Sequence, residues 1–253
     1  MKRWEYWFWP LLTFTLTLLV WQTAVAWTGT RIFPTPLQVL RGLRELASKG
    51  LLGRYVRDSL VRVSIGYVSA LVFGVPSGLL LGWYRAAEAC VNPVIQVVRP
   101  ISPLAWTPLA IVWFGVGSAT PIFLIFLASF FPIVVSTING VRNVPPVFQN
   151  AGRNFGLTPA ALLRRVVFPA ALPQILIGLR IALGIAWLVV VAAEMIAVDS
   201  GLGYLIIDSR NAGKRYDLVI AGMLLIGLIG LALDTGMRRI ARLQSYVGGF
   251  LND

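Results

Sequence analysis

The sequence contains a long stretch without a charged side chain, which runs from Pro100 to Val141. These 42 residues are too many for one membrane-spanning helix, because about 20 apolar residues cross the roughly 30 Å hydrocarbon core of a bilayer. The segment Gly115-Val116-Gly117-Ser118 lies near the middle and has the composition of a turn. We therefore predict a hairpin of two spans, at about 100–114 and 119–140. Three prolines predict that the first of these spans is kinked or broken: Pro100, Pro103 and Pro108.

Composition supports an integral membrane protein with one membrane domain, residues 1–253. Hydrophobic residues make up 57% of the 253 residues and charged residues 13%, against roughly 25% charged residues in soluble domains. The formal net charge is +12, but the basic residues lie between apolar blocks, which is typical of membrane proteins and argues against nucleic-acid binding. The chain has one cysteine, Cys90, which we place in a short loop, and no histidine. This excludes the usual zinc sites and histidine-dependent catalytic triads.

The uncharged blocks predict six transmembrane helices in all. The first follows Lys2 and Arg3, and its aromatic residues are typical of the membrane interface: Trp4, Tyr6, Trp7 and Trp9. A signal peptide cleaved near Ala24-Val25-Ala26 is the alternative for this segment. Both termini are basic, which places them in the cytoplasm, whereas an external N-terminus with five spans is the alternative. The spans lie at about 7–27, 63–84, 100–114, 119–140, 172–197 and 218–237.

Two segments between the spans are predicted to lie on the external side. Residues 32–58 include an amphipathic helix on the membrane surface, and residues 199–217 form a loop. Their external basic residues favour an anionic substrate, and they include Arg41, Arg54, Arg57 and Lys214.

Small residues recur every four positions along the second span. This spacing puts them on one face of a helix, where they allow a neighbouring helix to approach closely. The residues are Gly66, Ala70, Gly74, Gly78 and Gly82.

Residues 142–169 are the most polar internal stretch of the chain. Residues 146–155 can form a short helix, and Gly156 then suits the left-handed position after a helix end. Thr158 can cap a second helix with Pro159 in its first turn. We expect Pro169 and Pro173 to redirect the chain toward the fifth span. The pattern predicts a compact helix–turn–helix protrusion, which we call the knuckle (residues 146–168) and interpret as a docking surface.

The knuckle resembles the EAA motif of ATP-binding-cassette (ABC) importer permeases, which reads E-A-A, three residues, G, nine residues, I-x-L-P. This chain has Asn150-Ala151-Gly152, then Gly156, then Val166-Val167-Phe168-Pro169, with both spacings intact. Asn150 replaces the glutamate of the motif and Gly152 its second alanine. The segments Arg99–Gly115, 168–196, 200–206 and 32–40 are similar to the nitrate/sulfonate/taurine/bicarbonate permeases, so that the resemblance covers nearly the whole chain.

The resemblance implies an all-α, type I ABC importer permease fold with a cytoplasmic coupling helix between spans 4 and 5. It implies a multi-pass protein of the bacterial inner membrane that imports a small anionic solute of the nitrate, bicarbonate, sulfonate or taurine type. The implied partners are a second permease copy, two cytoplasmic ATPase subunits that bind ATP and magnesium, an external solute-binding protein and membrane lipid. The chain itself would bind no cofactor or metal, and it has no G-x-x-x-x-G-K-[ST] loop for ATP hydrolysis. The implied coupling residues are Asn150, Ala151, Gly152, Arg153, Asn154, Phe155, Gly156 and Leu157.

Polar side chains within the spans are the candidates for a translocation pathway. For Arg180 the alternative is a side chain that extends to the cytoplasmic interface, and for Glu194 it is a cap or anchor for the external loop. An ion-coupled secondary transporter is the alternative function, although the midplane carboxylates and internal repeats expected of one are not seen. The candidates are Ser102, Trp106, Thr107, Ser136, Asn139, Arg180 and Glu194.

Overall fold

The computed structural model describes residues 5–29 and 33–248, and every regular element within them is helical. Lys2, Arg3 and Trp4 of the first predicted interface lie outside the described residues. The helices of the first half are α1 (Glu5–Thr28), α2 (Pro36–Ser48), α3 (Leu51–Trp83), α4 (Arg85–Val98), a 3-10 turn (Pro103–Trp106) and α5 (Thr107–Phe114). Those of the second half are α6 (Ala119–Arg142), α7 (Pro146–Asn154), α8 (Pro159–Leu162), a π turn (Leu163–Val167), α9 (Phe168–Ala197), α10 (Leu202–Gly213) and α11 (Tyr216–Gly248).

Four helical segments of the described chain are long and apolar enough to cross a membrane. They are α3, α6, the continuous segment Pro159–Ala197, and residues 216–241 of α11. A fifth crossing arises if α4 and Pro103–Phe114, which meet at 83°, count as one broken span. The apolar part of α1, Leu11–Trp27, is shorter. The structure therefore gives four or five candidate spans, and the sixth, at the N-terminus, stays a prediction.

Helices α3, α6 and α9 form the core of the bundle, and small residues set their separation. A Cβ atom added to Gly66 would lie 2.7 Å from the Ile125 side chain, and one added to Gly74 would lie 2.9 Å from Ile133. Ala70, between them, is fully buried. The stripe of small residues predicted for the second span therefore packs α3 closely onto α6, which confirms its predicted role.

The bundle has two ends that differ in composition. At one end, the start of α3, the turn after α5, the end of α9 and α10 come together, and Gly117 N–H donates to Ala197 O at 3.0 Å. At the other end lie the α3–α4 junction and the knuckle, where Arg142 and Glu88 form an ion pair at 2.8 Å. The sequence predicts that the first end is external and that the second, the knuckle end, is cytoplasmic.

Two predicted loops are helices. Cys90 lies on α4, exposed, and not in a short loop. Residues 202–213 form α10 within the predicted external loop, because Leu202, Leu205 and Ile206 bury an apolar face against neighbouring helices. Local patterns did not reveal α10, since its burial depends on residues far away in the sequence.

Two further expectations about the spans are corrected. The third span does not begin near residue 100, because α4 already belongs to the bent pair, and the prediction of a break in this span is confirmed. The chain also stays helical through Pro169 and Pro173 and is not redirected by them. A π turn precedes Pro169, and in it Phe168 N–H donates to Leu163 O. This turn shifts the helical hydrogen-bond pattern by one residue just before Pro169, which has no N–H to donate.

Candidate functional site

The knuckle has the local geometry that its sequence predicts. Helix α7 ends at Asn154, Gly156 has a φ of 73°, and Leu157 N–H donates to Gly152 O at 3.1 Å. The Thr158 hydroxyl then accepts a hydrogen bond from Ala161 N–H at the start of α8. A positive φ closes the turn without steric cost only because residue 156 has no Cβ.

Gly152 explains one departure from the EAA pattern. It is buried, and a Cβ at this position would collide with the Leu162 side chain on α8. The atom that such a Cβ would meet is Leu162 Cδ1, the end of a flexible side chain, so an alanine at position 152 would require that side chain to shift. Helices α7 and α8 are thus in direct contact at Gly152.

The surface of the knuckle is polar with a few exposed apolar side chains. Phe155 is 86% exposed, Val147 65% and Phe148 48%. Exposed apolar side chains that form a patch on a protein surface mark contact sites for another protein or for a membrane. The remaining predicted coupling residues are exposed, except buried Gly152 and half-buried Leu157: Asn150, Ala151, Arg153, Asn154 and Gly156.

A large basic recess lies beside the knuckle. It has a volume of about 1010 Å³ and separates α7 from the α3–α4 junction. One carboxylate, Glu88, faces the three arginines of its lining, so the recess carries excess positive charge. Its lining residues are Gly82, Trp83, Tyr84, Arg85, Glu88, Arg142, Gln149, Arg153 and Pro159.

The break between α4 and α5 holds three of the predicted translocation residues. Ser102 is exposed in the break, whereas Thr107 is buried and donates its hydroxyl to Leu104 O at 2.7 Å. The Trp106 indole N–H is buried without a hydrogen-bond partner among the described residues. Of the three, Ser102 is therefore the side chain that is free to contact a solute.

The other predicted translocation residues do not join Ser102 in one site. Ser136 and Asn139 lie on the knuckle half of α6. Ser136 lies under Gly178 of α9, where an added Cβ would be 2.5 Å from its hydroxyl oxygen. Asn139 is exposed. The candidates are thus spread along the bundle.

Arg180 forms an ion pair across two helices. Its Nε donates to Asp234 Oδ1 of α11 at 2.6 Å and its Nη2 to Oδ2 at 3.3 Å. Arg238, one helical turn further along α11, donates to the same carboxylate at 2.8 Å. The guanidinium is held between helices by a carboxylate, which the sequence did not pair with it because the two residues are 54 positions apart.

Glu194 is fully buried and anchors the end of the bundle opposite the knuckle. Its carboxylate accepts hydrogen bonds from Ser59 Oγ at 2.8 Å, Arg62 Nη1 at 2.7 Å and Gly203 N–H at 3.0 Å. Arg62 also donates to Ser200 and to Ser118. These contacts connect α3, the α5–α6 turn, α9 and the start of α10. The arrangement fits the alternative role given for Glu194, which is to anchor the loop that follows α9.

Arg62 is a member of the anchoring network of Glu194 that the sequence did not indicate. It comes one residue before the predicted second span (about 63–84), in a position typical of a charge that flanks a membrane helix. Its side chain is 5% exposed, and its partner is 132 residues away. The described residues also contain no group of three or more His, Cys, Asp or Glu side chains placed to hold a metal ion.

Known proteins are similar to this chain over nearly its whole length. Residues 70–245 match the family of binding-protein-dependent transport system inner membrane components. The chain is 36% identical to the taurine transport system permease TauC of Escherichia coli K12, over 93% of this chain and 91% of that protein. It is also 36% identical to the nitrate import permease NrtB of a Synechocystis strain, over 94% and 88% of the two chains.

The fold agrees with this sequence similarity. A subunit of the inward-facing MetNI methionine ABC transporter superposes with a TM-score of 0.68 at 21% identity, over 77% of this chain and 96% of that one. With its capped knuckle and its all-helical bundle, the chain therefore belongs to the binding-protein-dependent transport system inner membrane component family and is a permease of an ABC importer with the type I fold.

Proposed function

We propose that two copies of this chain form the translocation pathway for a small anionic solute, and that two cytoplasmic ATPase subunits drive it by docking on the knuckle. The observation that carries this proposal is the protruding knuckle itself, with Phe155 86% exposed at the tip of α7. A bilayer cannot cover this polar element, and a capped, rigid helix pair fits a groove on a partner with little loss of conformational entropy. ATP and magnesium belong to the ATPase subunits, so the permease acts without catalysis of its own.

Two features favour an anion as the solute. The permeases that are similar over most of the chain carry the names of taurine and nitrate, and both of these solutes bear negatively charged oxygen atoms. At the end of the bundle opposite the knuckle, Arg41 and Lys214 line a recess of about 230 Å³, with one carboxylate, Asp217, among its lining residues. Positive charge at an entrance raises the local concentration of anions and of an acidic binding-protein surface.

The remaining partners follow from the orientation of the bundle. An external solute-binding protein delivers the solute to the α10 end, in a cytoplasmic (inner) membrane with both permease termini on the inner side. Exposed apolar side chains such as Leu188 (71%) and Ile196 (61%) on α9 face lipid or the second permease copy. Nucleic acid plays no part in this function.

The experiment is uptake into proteoliposomes that contain the permease with its ATPase, with binding protein added outside. We expect radiolabelled taurine or nitrate to accumulate only when ATP is enclosed with the ATPase, and to require the binding protein. A secondary transporter would instead take up the anion from an imposed proton or sodium gradient without ATP. Uptake that depends on such a gradient and ignores ATP would refute the proposal.

A further inference from the structure

We propose that Arg99 binds the negatively charged group of the solute halfway along the bundle. This assignment rests on the proposed anion import and adds the residue that recognises the charge. Arg99 lies neither in the knuckle nor in the anchoring network of Glu194.

The position of Arg99 follows from the path of α4. The helix begins at the knuckle end, where Glu88 pairs with Arg142. Further along, Ile95 is buried in a cluster with Val134 and Ile138 of α6. Arg99 follows at the C-terminal end of α4 and is exposed on the surface of this chain, near the middle of α6.

Arg99 lies near the middle of the bundle. It lines a cavity of about 210 Å³ together with Phe131 of α6 and Ile185 of α9. Phe131 is separated from each end of α6 (Ala119–Arg142) by about 17 Å at 1.5 Å per residue. An arginine at this depth is far from both ends of a helix that is long and apolar enough to cross a membrane.

The charge of Arg99 is not compensated within the described chain. Its side chain makes no hydrogen bond or ion pair with any residue that the structure describes, whereas Arg62 and Arg180 each hold a carboxylate within 2.7 Å. Charged residues within membrane spans normally face a water-filled cavity or a partner and mark substrate pathways. The missing counter-charge at Arg99 is what an anionic solute supplies.

The backbone beside Arg99 has the form of a transporter binding site. The chain turns by 83° between α4 and Pro103–Phe114. Pro100 and Pro103 lack N–H groups, and irregular backbone at membrane depth is tolerated only where it is buried in protein or lines a cavity. Ser102 is exposed in this break. A guanidinium offers a planar fork of donors that matches the oxygen atoms of a nitrate or sulfonate group.

The test exchanges the charge at position 99 by chemical modification. In a Cys90→Ser background, Arg99→Cys is assembled with the ATPase and binding protein, and ATP-driven import of taurine and nitrate is measured. We expect import to fall about ten- to hundredfold, which is the effect of losing a hydrogen bond to a charged group. Treatment with a trimethylammonium-ethyl methanethiosulfonate, which restores a positive charge, should recover much of the rate. The sulfonate-ethyl reagent, which adds a negative charge, should not.

The control is Arg239→Cys, an exposed arginine near the cytoplasmic end of α11, which should respond to neither reagent. Arg99→Lys should keep more import than Arg99→Cys because it keeps the charge. Equal recovery with both reagents, a thiol that neither reagent modifies, or a wild-type rate in Arg99→Cys would each overturn the role of Arg99 while anion import by the unmodified protein stands. If the unmodified protein imports only solutes that carry no negatively charged group, the proposed substrate class fails, and the role of Arg99 fails with it.

Discussion

Three arginines within or beside apolar helices differ in their burial and in their ion-pair partners. Arg62 is buried against Glu194, Arg180 is partly exposed and paired with Asp234, and Arg99 has no partner among the described residues. Each environment suits a different task, because a buried pair fixes a structure while an unpaired charge at membrane depth needs a partner from outside. The sequence identified Arg180 and Glu194 as polar residues within predicted spans, but their pairing with residues of other helices is a property of the fold.

The buried pair makes a prediction about single residues. Replacing Glu194 by alanine leaves the Arg62 guanidinium buried without its carboxylate and removes the acceptor for Ser59 and Gly203 N–H. We expect a loss of about 3–5 kcal/mol in the free energy of unfolding, which is typical of breaking a buried pair from one side.

The measurement is thermal denaturation of the purified permease in detergent. Glu88→Ala is the matched control, since its pair with Arg142 is more exposed and should contribute less than about 1 kcal/mol. A Glu194→Ala protein as stable as the Glu88→Ala protein would show that the network does not hold this end of the bundle together.

At the scale of helices, close approach between α3 and α6 depends on residues without a side chain. A Cβ added to Gly78 would lie 2.5 Å from Thr137 Cβ and 2.8 Å from Val134 O, so the two helices would have to separate. This packing was predictable because the four-residue spacing puts every small residue on the same face. Helix α10 was not predictable from the sequence, because the N–H groups at its N-terminus donate to Ser59 and Glu194, which belong to other helices.

The stripe predicts the outcome of a pair of substitutions in one helix. Gly78→Val should lower the free energy of unfolding by about 1–3 kcal/mol or more, because overpacking forces the neighbouring backbone to move. Gly53→Val in the same helix meets nothing within 4 Å and should be nearly neutral. Both variants are compared by the fraction that remains monodisperse after heating. Equal stability of the two would mean that α3 and α6 do not need their close contact.

For the whole molecule, the sequence predicted the class of fold and the turns of the knuckle, and its assignment of the two ends of the bundle to the outside and the cytoplasm stays a prediction. These features depend on local signals, namely uncharged blocks, a capping threonine and a glycine after a helix end. The bent α4–α5 pair was predicted as a break, but its start was misplaced because α4 is amphipathic and carries charges in its first turns. The role of the knuckle in coupling stays a prediction that depends on a partner.

Gly156 tests that role most directly. Its φ of 73° disfavours any side chain, by about 1–2 kcal/mol for an ordinary residue and more for a β-branched one, while an added Cβ meets nothing within 4 Å. Gly156→Val should therefore distort the knuckle and leave the rest of the bundle folded, and Gly156→Ala should be milder. Gly50 has a φ of 68° and an equally open surrounding, but it precedes α3 at the opposite end, so Gly50→Val carries the same strain away from the ATPase.

The decisive measurement is co-purification of each permease variant with its ATPase, followed by ATP-driven import in proteoliposomes. We predict that Gly156→Val inserts normally but loses ATPase binding or import, whereas Gly50→Val keeps both. If Gly156→Val binds the ATPase and imports solute at the wild-type rate, the knuckle does not couple this permease to ATP hydrolysis.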